Sequence, residues 1–149
     1  MIVNLRARHL IAIAASVAAL SVAACGNDTP AAPSAANPGF SQTDVRIGSG
    51  VEAAAGKALT VNYTGWLYDP AKSDQKGLQF ETSVGSTPFT FTLGVGQVIP
   101  GWDQGLSGMK VGGLRRLVIP SSLAYGGIRN GPIPPYAPLV FEIELLDVK

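Results

Sequence analysis

Sulfur, imidazole and net charge are nearly absent from this chain. It has one Cys, one His and two Met in 149 residues, with 11 basic side chains against 10 acidic ones. A lone cysteine excludes an internal disulfide framework, and one His with one Cys cannot build an ordinary zinc site. The balanced charge leaves no electrostatic footprint for nucleic acid. Long apolar stretches are also scarce, with a single run from Leu10 to Ala24. What is plentiful is Gly (18) and Pro (11), which argues against an all-helical bundle because both residues interrupt helices. The remainder is a small, turn-rich, sheet-containing domain.

The apolar run follows a segment that carries Arg6 and Arg8 and no acid. A bilayer-spanning helix needs about 20 apolar residues, so this run is short for a permanent span. A basic start, a short apolar stretch and small residues at its end describe a secretory signal over residues 1–24. Val22-Ala23-Ala24-Cys25 resembles the bacterial lipobox, in which a diacylglycerol is attached to the cysteine, which becomes the new N-terminus. An ordinary cleavage site beside a chance Cys is the alternative. The lipobox is favoured because Cys25 is the only cysteine in a chain bound for an oxidising compartment. Lipidation at Cys25 would place the protein in the bacterial cell envelope, facing the periplasm. By resemblance to Gram-negative sorting, Gly26 after Cys25 favours the outer membrane.

Arg6, Arg8 and the only histidine, His9, would leave with the signal. The remaining chain would have no imidazole, which removes Ser-His-Asp, Cys-His and His-metal chemistry together. Residues 26–39 hold three prolines and no large apolar side chain. Such a segment cannot bury enough surface to offset its ordering entropy. The expected organisation is a lipidated Cys with a flexible Pro/Ala-rich tether over 25–42 and one folded domain over 43–149.

Within the domain, Leu59–Thr64 and Phe89–Leu93 alternate apolar and polar residues, as does Leu139–Leu145 with Phe141, Ile143 and Leu145 inward. Leu114–Ile119 is β-rich, and Val45–Ile47 adds a short edge strand, giving four to six strands. Ile99, Trp102, Leu106 and Met109 share one helical face, although Gly105 and Gly108 weaken that helix and call for tertiary support. Tyr68–Gly77 reads as an exposed turn. Ala124–Pro138 is a loop with enough apolar residues to be packed down or to await a ligand. Glu142 and Glu144 read as a solvated strand face, and Arg115 and Arg116 as opposite-facing neighbours with local ion pairs. No nucleophile stands out.

The blocks Val61–Gly65, Phe80–Ser83, Pro88–Phe91, Leu93-Gly94, Val98–Trp102, Pro120–Gly126, Ile133–Pro135 and Leu139–Leu146 resemble, in order, the FKBP-type peptidyl-prolyl cis-trans isomerases. The lipobox makes this the bacterial lipoprotein form. The resemblance implies an α+β fold, an antiparallel sheet of five or six strands curled around one short α-helix, with an apolar pocket between them. It implies Tyr125, Trp102, Phe89 and Glu81 as catalytic positions. Trp102 would be the pocket floor, and Tyr125 with the Ile99 backbone N–H would be hydrogen-bond donors. It implies Tyr63, Phe80, Gln97, Val98, Ile99, Ile133 and Phe141 as substrate-binding positions, with Ile133 leaning over the site. No metal or cofactor is implied.

The implied partners are proline-containing segments of folding envelope proteins, with a monomer as the default state. The resemblance also implies binding of macrolides of the tacrolimus or rapamycin type. The chain departs from the family where most members have Asp after the pocket Phe: here Glu81 stands, and its extra methylene is expected to disturb a hydrogen bond to Tyr63 and weaken macrolide binding. The Ser83–Pro88 and Tyr125–Pro134 stretches are short, and Tyr68–Gly77 is long. A non-catalytic module that binds proline segments, or an envelope chaperone on the same fold, are the alternatives.

Overall fold

A computed structural model describes residues 37–149, so the signal, Cys25 and most of the tether lie outside the described residues. Six strands form one antiparallel sheet: β1 (Ser41–Arg46), β2 (Ala58–Tyr68), β3 (Lys76–Thr82), β4 (Phe89–Thr92), β5 (Leu114–Ile119) and β6 (Leu139–Val148). One short helix, α1 (Pro100–Gly105), precedes β5. The sheet order is β1-β5-β6-β2-β3, with β4 also paired to β2. This is the expected α+β fold. The N-terminal half of β2 pairs with β4 and its C-terminal half with β3, so both short strands lie along one edge of β2.

Alternation sets the inward face. Leu59 and Val61 of β2, Phe91 of β4, Leu117 and Ile119 of β5 and Phe141, Ile143 and Leu145 of β6 are all buried. A register shift between Thr60 and Val61 leaves Leu146 without its place in the alternation, and it is 36% exposed.

The helix is shorter than its apolar spacing suggests. Pro100 starts it, Leu106 caps it, and Gly108 (φ +75°) turns the chain into the left-handed region. Met109 therefore reaches the core from the turn beyond the helix, where it is still buried. Gly101 and Gly105 face β5 so closely that a Cβ would lie 2.5 Å from Ile119 and 2.7 Å from Leu117. The glycines that weaken the isolated helix are what let it lie against the strand.

Arg115 locks this packing. Its guanidinium makes a two-pronged contact with Asp44 of β1, at 2.6 and 3.2 Å. It also donates to the carbonyls of Gly105 (2.8 Å) and Ser107 (3.1 Å) at the end of α1. Arg116, on the opposite face, holds the β2–β3 loop through the Asp74 carbonyl and the Gln75 side chain. Glu142 and Glu144 lie on that face too, paired with Lys76 and Arg46.

Two strands depart from expectation. The edge strand runs Ser41–Arg46 rather than Val45–Ile47, and starts two residues before the expected domain boundary. All six of its residues are exposed and Ile47 is 81% exposed, so backbone pairing to β5 and the Asp44–Arg115 contact define it rather than apolar burial. β3 begins at Lys76, inside the segment expected to be a turn. Leu78 on it is 66% exposed, so no burial pattern marked this strand.

Candidate active site

Between the inner face of the sheet and α1 lies a cavity of about 390 Å³. Trp102, in the first turn of α1 and only 4% exposed, is enclosed by other rings on its flanks. Tyr63 of β2 meets it edge-on at 5.1 Å and Phe141 of β6 at 5.2 Å, nearly perpendicular in both cases. Phe91 and Phe89 of β4 stand 5.7 and 6.3 Å from it. The indole N–H is buried and, among the described residues, has no N or O acceptor.

Glu81 from the end of β3, Tyr125 from the long loop, and Gln97, Val98 and Ile99 ahead of α1 complete the lining with Phe89 and Phe141. The segment before α1 is held by polar contacts. Asp103 accepts from the N–H groups of Gly94 (2.8 Å) and Gly96 (3.1 Å). Gln97 Oε1 accepts from the Thr92 N–H at 2.8 Å, so the side chain expected to bind substrate also closes the turn that presents Val98 and Ile99. Among the described residues the Ile99 N–H has no backbone acceptor.

Phe80 and Ile133 do not line this cavity. They line an adjoining depression of about 250 Å³ that shares Glu81 and Tyr125 with it. Phe80 reaches the site through the Phe141 ring, edge-on at 5.7 Å. Ile133, expected to lean over the site, is 4% exposed and packed into the core instead. Its backbone pairs with Asn130 in both directions across a tight turn whose Gly131 has φ +54°, and that turn tucks the side chain inward. The apolar residues that the loop does leave outside are Ile128 and Tyr136, 73% and 74% exposed.

Gly65 is a site residue that motif reading passed over. A Cβ there would stand 2.6 Å from the Phe80 ring and 2.8 Å from the Phe141 ring. Only its place inside the Val61–Gly65 block hinted at it. Gly65→Ala is expected to displace both rings and cost about 1–3 kcal/mol of stability by overpacking, read as a lower thermal midpoint together with slower peptide exchange. An unchanged midpoint would show that the wall has slack.

The Tyr63 hydroxyl is pushed up to about 12, first by burial and then by the charge of Glu81. The carboxylate at position 81 and the Tyr63 hydroxyl line the same cavity. Because the folded state holds this proton more tightly than the unfolded chain, its stabilising contribution is complete below about pH 10 and is lost as pH rises towards about 12. Absorbance at 295 nm should show an ionisation near pH 12 that is missing in Tyr63→Phe. The variant's stability should also fall less steeply over that interval. Identical titration curves for the two proteins would contradict this assignment.

Known proteins resemble this chain. Residues 50–146 match the family model of the FKBP-type peptidyl-prolyl cis-trans isomerases. An FK506-binding protein of Neisseria meningitidis serogroup B is 51% identical over 107 residues, which is 70% of this chain and 92% of that protein. The peptidyl-prolyl cis-trans isomerase FPR2 of Saccharomyces cerevisiae is 50% identical over 102 residues, 66% of this chain and 70% of the yeast protein. The crystal structure of FkpA from Escherichia coli superposes with a TM-score of 0.62 at 42% identity, over 74% of this chain and 48% of FkpA, so the match spans about half of that protein. Aromatic cavity, sheet and family match agree: this chain belongs to the FKBP-type peptidyl-prolyl cis-trans isomerases and is an enzyme of that class.

Proposed function

We propose that the enzyme accelerates Xaa-Pro isomerisation in proteins folding in the bacterial cell envelope, where a lipid on Cys25 holds it to a membrane. The observation that carries the catalytic reading is the Trp102 cavity, a pocket walled by aromatic rings with polar groups at its rim. Rotation about a peptide bond faces about 18–20 kcal/mol because the C–N bond has partial double-bond character. No covalent bond need break, so no nucleophile is needed. An apolar enclosure disfavours the charge-separated resonance form of the planar amide, and the twisted amide gains relative to it. In this reading the proline ring rests against Trp102, between Tyr63, Phe89 and Phe141. The substrate carbonyl takes hydrogen bonds from the Tyr125 hydroxyl and the Ile99 N–H. Glu81 and Tyr63 line the pocket beside them.

The envelope placement rests on the basic start, the apolar run and the Val22–Cys25 lipobox. Several acyl chains together would hold the protein firmly where one holds only marginally. The tether then spaces a monomeric domain from the surface, the outer membrane being favoured by Gly26. The aromatic walls also suit macrolides of the tacrolimus or rapamycin type, with Glu81 weakening their grip.

NMR exchange spectroscopy on a short Leu-Pro peptide, with and without catalytic amounts of the protein, tests the catalytic reading. Faster exchange is expected. Peptide shifts without faster exchange would support the non-catalytic binding module in its place. Cys25→Ala should move the protein from the membrane fraction to the soluble one, and retention at the membrane would refute the lipid anchor.

A further inference from the structure

The segment ahead of β1 does more than lead into the domain. The β1–β5 ladder ends with Ser41 opposite Val118, and continuing that register sets Phe40 beside Ile119 and Pro38 beside Ser121. Pro38 and Pro120 lack N–H groups, so the backbone ladder cannot run on. Phe40 packs against the core instead, and the Asn37 side chain accepts a hydrogen bond from the Ser121 N–H at 3.2 Å. Ser121 opens the 3-10 turn Ser121–Leu123, whose own N-cap, Pro120, supplies no side-chain bond. Asn37 therefore serves as a cap delivered from 84 positions away along the chain.

Ser121 is the point from which Tyr125 is hung. Its carbonyl accepts from Ala124 (3.1 Å) and from Gly126 (2.9 Å), the two neighbours of Tyr125. The Gly126 carbonyl in turn accepts from Tyr136, so the return of the loop is tied to the same place. Ser121 itself is 8% exposed. The family match begins only at residue 50, so none of residues 37–40 is part of it.

We propose that Asn37 is a positioning residue for catalysis: by fixing Ser121 it sets where the Tyr125 hydroxyl meets the substrate carbonyl. The inference rests on the isomerase reading above. It adds that the functional unit starts at Asn37 and includes residues of the tether.

The test uses the full chain and Xaa-Pro exchange rates. Asn37→Ala is expected to lower kcat/KM by about fivefold, through loss of one hydrogen bond and a small displacement of the donor. Asn37→Asp, whose carboxylate accepts the same N–H, restores the rate. In a Tyr125→Phe background, where no hydroxyl remains to be placed, Asn37→Ala has no further effect. Amide hydrogen exchange at Ser121 is faster in Asn37→Ala and protected in Asn37→Asp. Wild-type rates in Asn37→Ala, the same fold-loss with and without the Tyr125 hydroxyl, or unchanged Ser121 protection would each overturn the proposal. If the unaltered chain fails to accelerate exchange, the isomerase reading falls and this inference with it, whereas rapid exchange that is indifferent to Asn37 removes the inference alone.

Discussion

Trp102→Leu should leave a folded protein that accelerates proline exchange at least about tenfold less well. The indole meets Tyr63, Phe91, Phe89 and Phe141 and is nearly inaccessible, so its loss removes both a wall of the cavity and the contact that fixes its shape. An aromatic contact contributes about 0.5–1.5 kcal/mol beyond its buried area, and about 1.4 kcal/mol of transition-state stabilisation corresponds to tenfold in rate. Losing one such contact to the twisted proline ring accounts for about two- to twelvefold, and the lost shape of the cavity adds to it. The same substitution should lower stability by about 2–3 kcal/mol, short of a full truncation to Ala. Near-ultraviolet circular dichroism would confirm that the variant is folded, and NMR exchange on a Leu-Pro peptide would give the rate. A folded variant with undiminished rates would mean that the aromatic cavity is not where the chemistry occurs.

The largest stability effect should come from Arg115→Ala. Four hydrogen bonds converge on this guanidinium, from Asp44 on one side and from the Gly105 and Ser107 carbonyls on the other. Removing it strands two helix-end carbonyls and leaves Asp44 without its partner. The stranded carbonyls dominate, because the partly exposed Asp44 regains water, and the loss is about 2–4 kcal/mol, a large fraction of the 5–15 kcal/mol that a domain usually has. Urea unfolding should show the midpoint fall by that equivalent with an unchanged slope. Asp44→Ala should cost less, because its side chain is 40% exposed and the arginine would keep its two carbonyls. Equal losses for the two variants would argue that the ion pair, and not the helix-end clamp, matters. A loss below 1 kcal/mol for Arg115→Ala would mean that water replaces it well.

The sheet was legible where apolar and polar residues alternate along a strand, as in β2, β4 and β6, because side chains at every second position face the same side. It was not legible in β1 and β3, whose residues are mostly exposed and whose existence depends on pairing partners distant in sequence. The helix was visible as an apolar face, but its end was not. Leu106 and Met109 keep helical spacing in the sequence while Gly108 has already turned the chain away. At the site, the family resemblance of the motif blocks placed Tyr63, Trp102, Phe89 and Tyr125 on one cavity, where each aromatic taken alone reads as ordinary core packing. For Ile133 the Asn130-Gly131 pair signals the turn that the two-way backbone pairing closes, but nothing in it says that the side chain faces the core.

The split edge of β2 has a consequence beyond the shape of the cavity. An enzyme that handles unfolded chains risks being recruited by them, since an extended segment can add itself to any long, regular sheet edge. Here one margin of the sheet is divided between β3, with its two register shifts, and a β4 of four residues, while β1 on the other side carries an irregularity of its own. Neither margin offers a straight template of any length. A passing chain is left to engage the protein through its side chains, and aggregation seeded on the enzyme itself is discouraged by the way its strands are cut.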